Sequence, residues 1–184
     1  MTERLEISAV AISGSPSRRS RSRELLVRAS DRLVAAGVPV VLVDLADLPA
    51  DSLLARAAAP DTEAALSAVA GARIVLVSTP VYRATYSGLL KVFFDLLPPS
   101  GLAGKVAIPI ATGGGQAHQL VLDHGLRPLL ASVGALTVPT ATYAIDAQFT
   151  AAGPDPIVLL RLERAVAEAI ALAHADFPAL TPAP

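Results

Sequence analysis

Three stretches of this chain are apolar without alternation, and they restrict the fold more than any other feature. Residues 5–13, 74–80 and 105–112 are mostly apolar runs rich in Val, Ile, Leu and Ala. A strand with one wet face alternates polar and apolar positions. A continuous run fits a strand covered on both faces, as in parallel sheets whose crossovers place helices above and below. Pro109 weakens the third run, since proline cannot donate to a ladder, but its apolar flanks keep it a strand. Two more strands are expected, a β-branched one at 38–45 and another at 136–143. Between them apolar residues recur at helical spacing over 24–36, 62–71, 87–97, 116–133 and 158–174. Gly37 ends the first helix, and Pro98-Pro99 closes the third, which buries Leu89, Leu90, Phe93, Phe94 and Leu97. Residues 44–60 read as a meandering connection, 153–156 as a break, and 177–184 as a frayed tail. Strands alternating with helices predict an α/β doubly wound, five-stranded parallel sheet with right-handed crossovers. The expected strand order is 2-1-3-4-5, in one domain spanning 1–184.

That order sets the carboxyl ends of strands one, three and four side by side, where open α/β sheets bind ligands. Each of the three ends runs into an unusual loop. The first, residues 14–22, holds Ser15, Ser17, Ser20 and Ser22 with Arg18, Arg19 and Arg21, and precedes a helix whose free N–H groups point back at it. Hydroxyls, guanidinium forks and a helix N-terminus together suit a phosphate; a solvated Ser/Arg turn with ordinary caps is the alternative. Neither G-x-G-x-x-G nor G-x-x-x-x-G-K-[ST] occurs, so neither a dinucleotide fingerprint nor a triphosphatase loop is indicated. The second loop, 79–91, contains Pro80, Val81, Tyr82 and Arg83. The third carries Thr112, Gly113, Gly114 and Gly115. These offer backbone amides and small residues against which a flat ring can lie. A phosphate site beside a ring site matches flavin mononucleotide, FMN, although the Gly triplet alone also reads as a flexible turn.

Composition narrows the chemistry. The 184 residues are 53% hydrophobic and 17% charged with a net charge of -1, which provides no general attraction for nucleic acid or an anionic membrane. With no cysteine there is no disulfide, thiolate nucleophile or Cys-ligated cluster, so redox chemistry falls to an organic cofactor, and a cytoplasmic location is expected. No metal-ligand spacing or nucleophile elbow is present; His118, His124 and Asp123 do not form a tetrahedral set. Lys91 and Asp95 read as a helix-surface pair.

In order along the chain, Gly14-Ser15-Pro16, Ser20-Arg21-Ser22, Thr79-Pro80-Val81-Tyr82, Tyr86-Ser87-Gly88-Leu89-Leu90-Lys91 and Ala111-Thr112-Gly113-Gly114 resemble the NAD(P)H-dependent FMN reductase family. The likeness spans about 5–175 and is greatest to the flavin reductases of two-component alkanesulfonate and methanesulfonate monooxygenase systems. It implies a flavodoxin-like fold and a homotetramer or homodimer. It also implies hydride transfer from NAD(P)H to FMN, with reduced flavin passing to a partner monooxygenase. FMN phosphate contacts would come from Ser15, Ser20, Arg21 and Ser22. Ring contacts would come from Pro80, Val81 and Tyr82 with neighbouring Arg83, and from Thr112, Gly113, Gly114 and adjoining Gly115. No side chain need act as acid or base. Arg18-Arg19 departs from the alkanesulfonate type. An FMN-dependent quinone, azo or metal reductase is the nearest alternative; a non-enzymatic flavodoxin-type carrier fits less well, since near-neutral charge does not suit a charged docking face.

Gly125 and Pro128 lie inside the helical stretch 116–133, where both weaken regular hydrogen bonding. In the alkanesulfonate-type reductases the corresponding position holds a Tyr on a π-bulge at a subunit contact; here it is His124, as in the methanesulfonate-type relatives. A π-type turn at about His124 is therefore expected, its imidazole toward a neighbouring subunit; a plain proline kink is the alternative.

Overall fold

A computed structural model describes residues 7–175, so the expected frayed tail at 177–184 lies outside the described residues. The order is β1 (Ala9–Ser13), α1 (Arg21–Ala35), β2 (Val40–Asp44), the one-turn helix α2 (Ala50–Leu53), α3 (Pro60–Gly71), β3 (Ile74–Pro80), α4 (Gly88–Phe94) and β4 (Val106–Gly113). Then follow α5 (Arg127–Ser132), β5 (Leu136–Thr137), β6 (Thr142–Ile145), the antiparallel pair β7 (Phe149–Thr150) and β8 (Gly153–Pro154), and α6 (Pro156–Ala173). The main sheet is parallel, ordered β2-β1-β3-β4-β5, with β6 also pairing with β4. This is the expected order.

The unalternated runs are buried on both faces for the expected reason. On one face Val10, Ile12, Val75 and Val77 pack with Ala65 and Val69 of α3, Leu90 and Phe93 of α4, and Leu130 of α5. On the other, Ala9, Ala11, Ile74, Leu76, Ile108 and Ile110 meet Leu25, Leu26 and Leu33 of α1 and Leu162 and Val166 of α6. Each fully buried Leu or Ile contributes about 1.5–3 kcal/mol of transfer free energy. Among the described residues no helix is long and apolar enough to cross a membrane.

Three expectations need correction. The fifth strand is two short pieces: Pro139 lacks an N–H, and pairing with β4 lapses between Thr137 and Thr142. The 44–60 connection contains a 3₁₀ turn, Leu45–Asp47, capped by Asp44, followed by α2. The helix expected over 116–133 is instead a 3₁₀ stretch, Gln116–Leu120, a π turn, Leu122–Leu126, and then α5. The π turn includes His124, as expected, and Pro128 is the second residue of α5, directly after that turn. His124 is exposed on this chain.

Candidate functional site

The β1 loop is fastened before it reaches solvent. Gly14 N–H donates to Ser78 O at 2.8 Å, continuing the sheet one residue past β1. A Cβ on Gly14 would lie 2.9 Å from Leu90 Cβ and 3.0 Å from Ser78 O, so only glycine fits. Ser87 caps α4, its Oγ accepting from Leu90 N–H at 3.1 Å, and the same hydroxyl donates to Gly14 O. Ser87 N–H in turn donates to Thr79 Oγ1 at 2.9 Å. One buried serine thus joins the first loop to the second.

Past Gly14, Ser15 is buried and its Oγ accepts from Ser17 N–H at 3.2 Å. Ser20 caps α1, accepting from Arg23 N–H at 3.3 Å, and its Oγ lies 2.9 Å from that of Ser22. Ser22 is fully buried behind Ser20 and stays off the cleft wall. Arg21 reaches across to Asp146 with Nη1 to Oδ1 at 2.8 Å, its guanidinium 5.7 Å from the centre of the Phe149 ring.

The second loop is held edge-on to the third by Val81 N–H donating to Thr112 O at 2.7 Å. Tyr82 and Thr85 exchange two backbone hydrogen bonds, of 2.9 and 3.2 Å, around Arg83 and Ala84. Both central residues sit at positive φ, 51° and 69°, the requirement of a type I′ turn. Arg83 is exposed at the tip, off the cleft wall. In the third loop Tyr143 Oη donates to Gly115 O at 2.5 Å. Burial first, and the Asp146 charge second, push the Tyr143 phenol above its ordinary pKa, so it stays a donor. A Cβ on Gly113 would lie 2.7 Å from that Oη and 3.2 Å from His118 Nδ1. Gly113 therefore makes room for the tyrosine that anchors the loop.

These parts enclose an open cleft of ≈ 470 Å³ lined by Ser15, Ser17, Arg19, Ser20, Arg21, Pro80, Val81, Tyr82, Thr112, Gly113, Gly114 and Asp146. The structure brings nine of the twelve expected residues to one wall; Ser22, Arg83 and Gly115 stand off it. Ser17 and Arg19 lie within the loop already read as a phosphate cradle. Asp146 was not anticipated, because it follows a short strand with no motif and its place appears only once β6 pairs with β4. Serine hydroxyls and the α1 N-terminus occupy one end, and proline, tyrosine and glycine the other. That pairing of anion donors with a flat, small-residue wall fits FMN.

Comparison with known proteins agrees. The family described as NADPH-dependent FMN reductase matches residues 7–150. An FMN reductase (NADPH) of Pseudomonas putida KT2440 is 44% identical over 154 residues, covering 83% of this chain and 78% of that protein. The solved structure of an apo NADH:FMN oxidoreductase superposes with a TM-score of 0.84 at 38% identity, over 94% of this chain and 92% of that one. A Streptococcus flavodoxin, TM-score 0.60 and 17% identical over 90% of this chain and 98% of that one, shares the fold. Three loops meeting at one cleft, on a sheet of this order and with this degree of likeness, place the chain in the NADPH-dependent FMN reductase family.

Proposed function

We propose that this NAD(P)H:FMN oxidoreductase supplies reduced FMN to a separate flavin-dependent monooxygenase, and that the flavin is exchanged between turnovers. The observation that carries the reading is the Arg21–Asp146 ion pair across the cleft mouth. Both side chains are about half exposed, so the pair is weak and a phosphate can take Arg21 from Asp146. Binding is then an exchange of partners, which holds the flavin less firmly than an unpaired arginine would.

Bound in the cleft, FMN supplies the hydride acceptor, and the protein orients two rings. Ser15, Ser20 and the first N–H groups of α1 hold the phosphate, with Ser22 supporting Ser20 from behind. Pro80, Val81 and Tyr82 would hold the ring, together with Thr112, Gly113 and Gly114. Arg83 and Gly115 act at one remove, by shaping the tips of their loops. The chain works as one domain in the cytoplasm and assembles as a homodimer or homotetramer. His124 and the exposed Leu120 beside it belong to a contact between copies.

Replacing Ser20 and Ser22 together by Ala tests the phosphate assignment. FMN affinity should fall about 10- to 100-fold, the lost Ser20 donor to a charged group being worth about 1.5–3 kcal/mol and the Ser22 change removing its support, while riboflavin affinity holds. Equal losses for both flavins overturn it. For exchange, FMN-loaded protein passed over a desalting column should emerge colourless, and FMN that stays with the protein refutes the delivery reading.

A further inference from the structure

The flavin cleft is cationic at one end only. Arg19 and Arg21 line it beside the serines of the first loop, where the reading above sets the flavin phosphate. The other end is walled by Pro80, Val81, Tyr82, Thr112, Gly113 and Gly114, and the remaining charged residue of the wall is an anion, Asp146. Hydride transfer brings a further anionic molecule to this uncharged end. A reduced nicotinamide dinucleotide carries a pyrophosphate bridge, and a 2′-phosphate as well in NADPH. Its nicotinamide has to meet the flavin ring, and the wall there offers its phosphates no cation.

The nearest cation along the chain is Arg83, next to Tyr82. It stands exposed at the tip of the Tyr82–Thr85 turn. Its guanidinium makes no ion pair and no hydrogen bond among the described residues, whereas Arg21 and Arg23 are held by Asp146 and Asp44, and Arg127 and Arg161 by backbone carbonyls. The backbone beneath it is firmly placed. Val81 N–H donates to Thr112 O, Tyr82 and Thr85 exchange backbone hydrogen bonds, and Ser87 N–H donates to the buried Thr79 hydroxyl. Behind the turn, a Cβ on Gly125 of the π turn would lie 3.2 Å from Thr85 Oγ1 and 3.3 Å from Tyr86 Cδ1, so that segment packs directly on the second loop. Arg83 itself holds a φ of 51°, a conformation that residues other than glycine adopt at a cost. A turn braced in this way loses little freedom when an anion arrives, and the planar guanidinium fork it carries suits a phosphate.

We propose that Arg83 is a binding residue for the reduced nicotinamide dinucleotide and meets one of its phosphates beside the ring wall. The inference rests on the reading that Pro80, Val81 and Tyr82 hold the flavin ring. It gives the two substrates separate anion contacts: the first loop takes the phosphate of the flavin, and the tip of the second takes a phosphate of the nucleotide.

Isothermal titration of NADP+ and NAD+ into protein saturated with FMN tests it, since the oxidised nucleotides bind without turnover. Arg83→Ala should weaken binding about tenfold, as the loss of a charge-assisted contact implies, and Arg83→Lys should recover most of it. FMN affinity, followed by flavin fluorescence, should match the parent in both variants, which also shows that the turn survives. The difference between parent and Arg83→Ala should shrink as salt is raised, because an exposed cation is screened. Losses for both nucleotides place the contact on the pyrophosphate; a loss for NADP+ alone places it on the 2′-phosphate and makes Arg83 the residue that favours NADPH. Unchanged binding of both nucleotides overturns the proposal. So does FMN affinity that falls in step with theirs, which would leave Arg83 as a prop for Tyr82. Tyr82→Ala checks the ring wall separately: FMN affinity should fall, and if it holds, the ring reading fails and the proposal with it, whatever the Arg83 variants show.

Discussion

The two sides of the sheet are held together by different means. From β2 through β1 to β3 the backbone does the work: five consecutive residue pairs join β1 to each neighbour without a gap. Beyond β4 the ladder breaks between β5 and β6, and side chains take over. Arg127 donates to Val138 O at 3.0 Å and Pro139 O at 2.8 Å, and Glu168 accepts from Thr140 N–H at 2.8 Å and Oγ1 at 2.7 Å. Arg161 donates to Ala141 O at 3.1 Å. Each of the four linking residues is tied down by an arginine or glutamate from a neighbouring helix. A ladder fixes position through geometry that any sequence supplies, whereas such ties depend on individual residues and, for Glu168, on pH.

Damage to the ladder side should cost most. Gly14→Ala forces a Cβ to 2.9 Å from Leu90 Cβ, and overpacking of this kind costs about 1–3 kcal/mol. Urea unfolding should show that loss together with weakened flavin binding, since Gly14 opens the loop proposed to hold the phosphate. A midpoint within error of the parent would mean that β1 and α4 can separate freely.

On the side of the ties, Arg127→Lys keeps the charge but loses the fork that spans two carbonyls. A loss of about 1 kcal/mol is expected, with protection from hydrogen exchange falling first in β6 and least in β1. Uniform loss across the sheet would erase the distinction drawn here.

The smallest effect concerns pH. Burial opposes the charge on Glu168, but the hydroxyl and N–H of Thr140 and the guanidinium of Arg164 outweigh it, leaving the carboxyl below its ordinary pKa. A carboxylate depressed in the folded state stabilises above the unfolded value, about 4.3, and that stability drains away as pH falls through the lower folded value. Glu168→Gln should flatten the acid limb of a stability–pH curve while lowering the plateau slightly. An unaltered acid limb would show that Thr140 does not need the charge.

The same division explains what could be read from the chain. β3 was expected at 74–80 and runs Ile74–Pro80, because an unbroken β-branched run between a polar residue and a proline leaves little choice of ends. α1 is longer than the expected 24–36, starting at Arg21, since Ser20 caps it ahead of the first apolar residue. The β5–β6 split was foreshadowed by Pro139 alone, and what bridges it comes from Arg127 and Glu168, 11 and 28 residues away in the chain. No local pattern records such partners. Nine cleft residues were legible because they lie at the ends of β3 and β4 or in the segment joining β1 to α1, all recognisable in the chain, while Asp146 needed the folded chain to bring separate segments together.

The turn at Arg83-Ala84 carries a further meaning for anyone altering this protein. Two consecutive side-chain-bearing residues at positive φ each cost of order 1–3 kcal/mol, and Asn-Gly would form the same turn at less expense. A redesign that ranks substitutions by stability alone would choose Ala84→Gly early and gain a higher melting temperature. It would also loosen the support of Tyr82, whose exposed ring stands on that turn at the cleft wall. Thermostability and the placement of Tyr82 thus meet at a single dipeptide, and a library confined to residues 83 and 84 would trace how each is exchanged for the other.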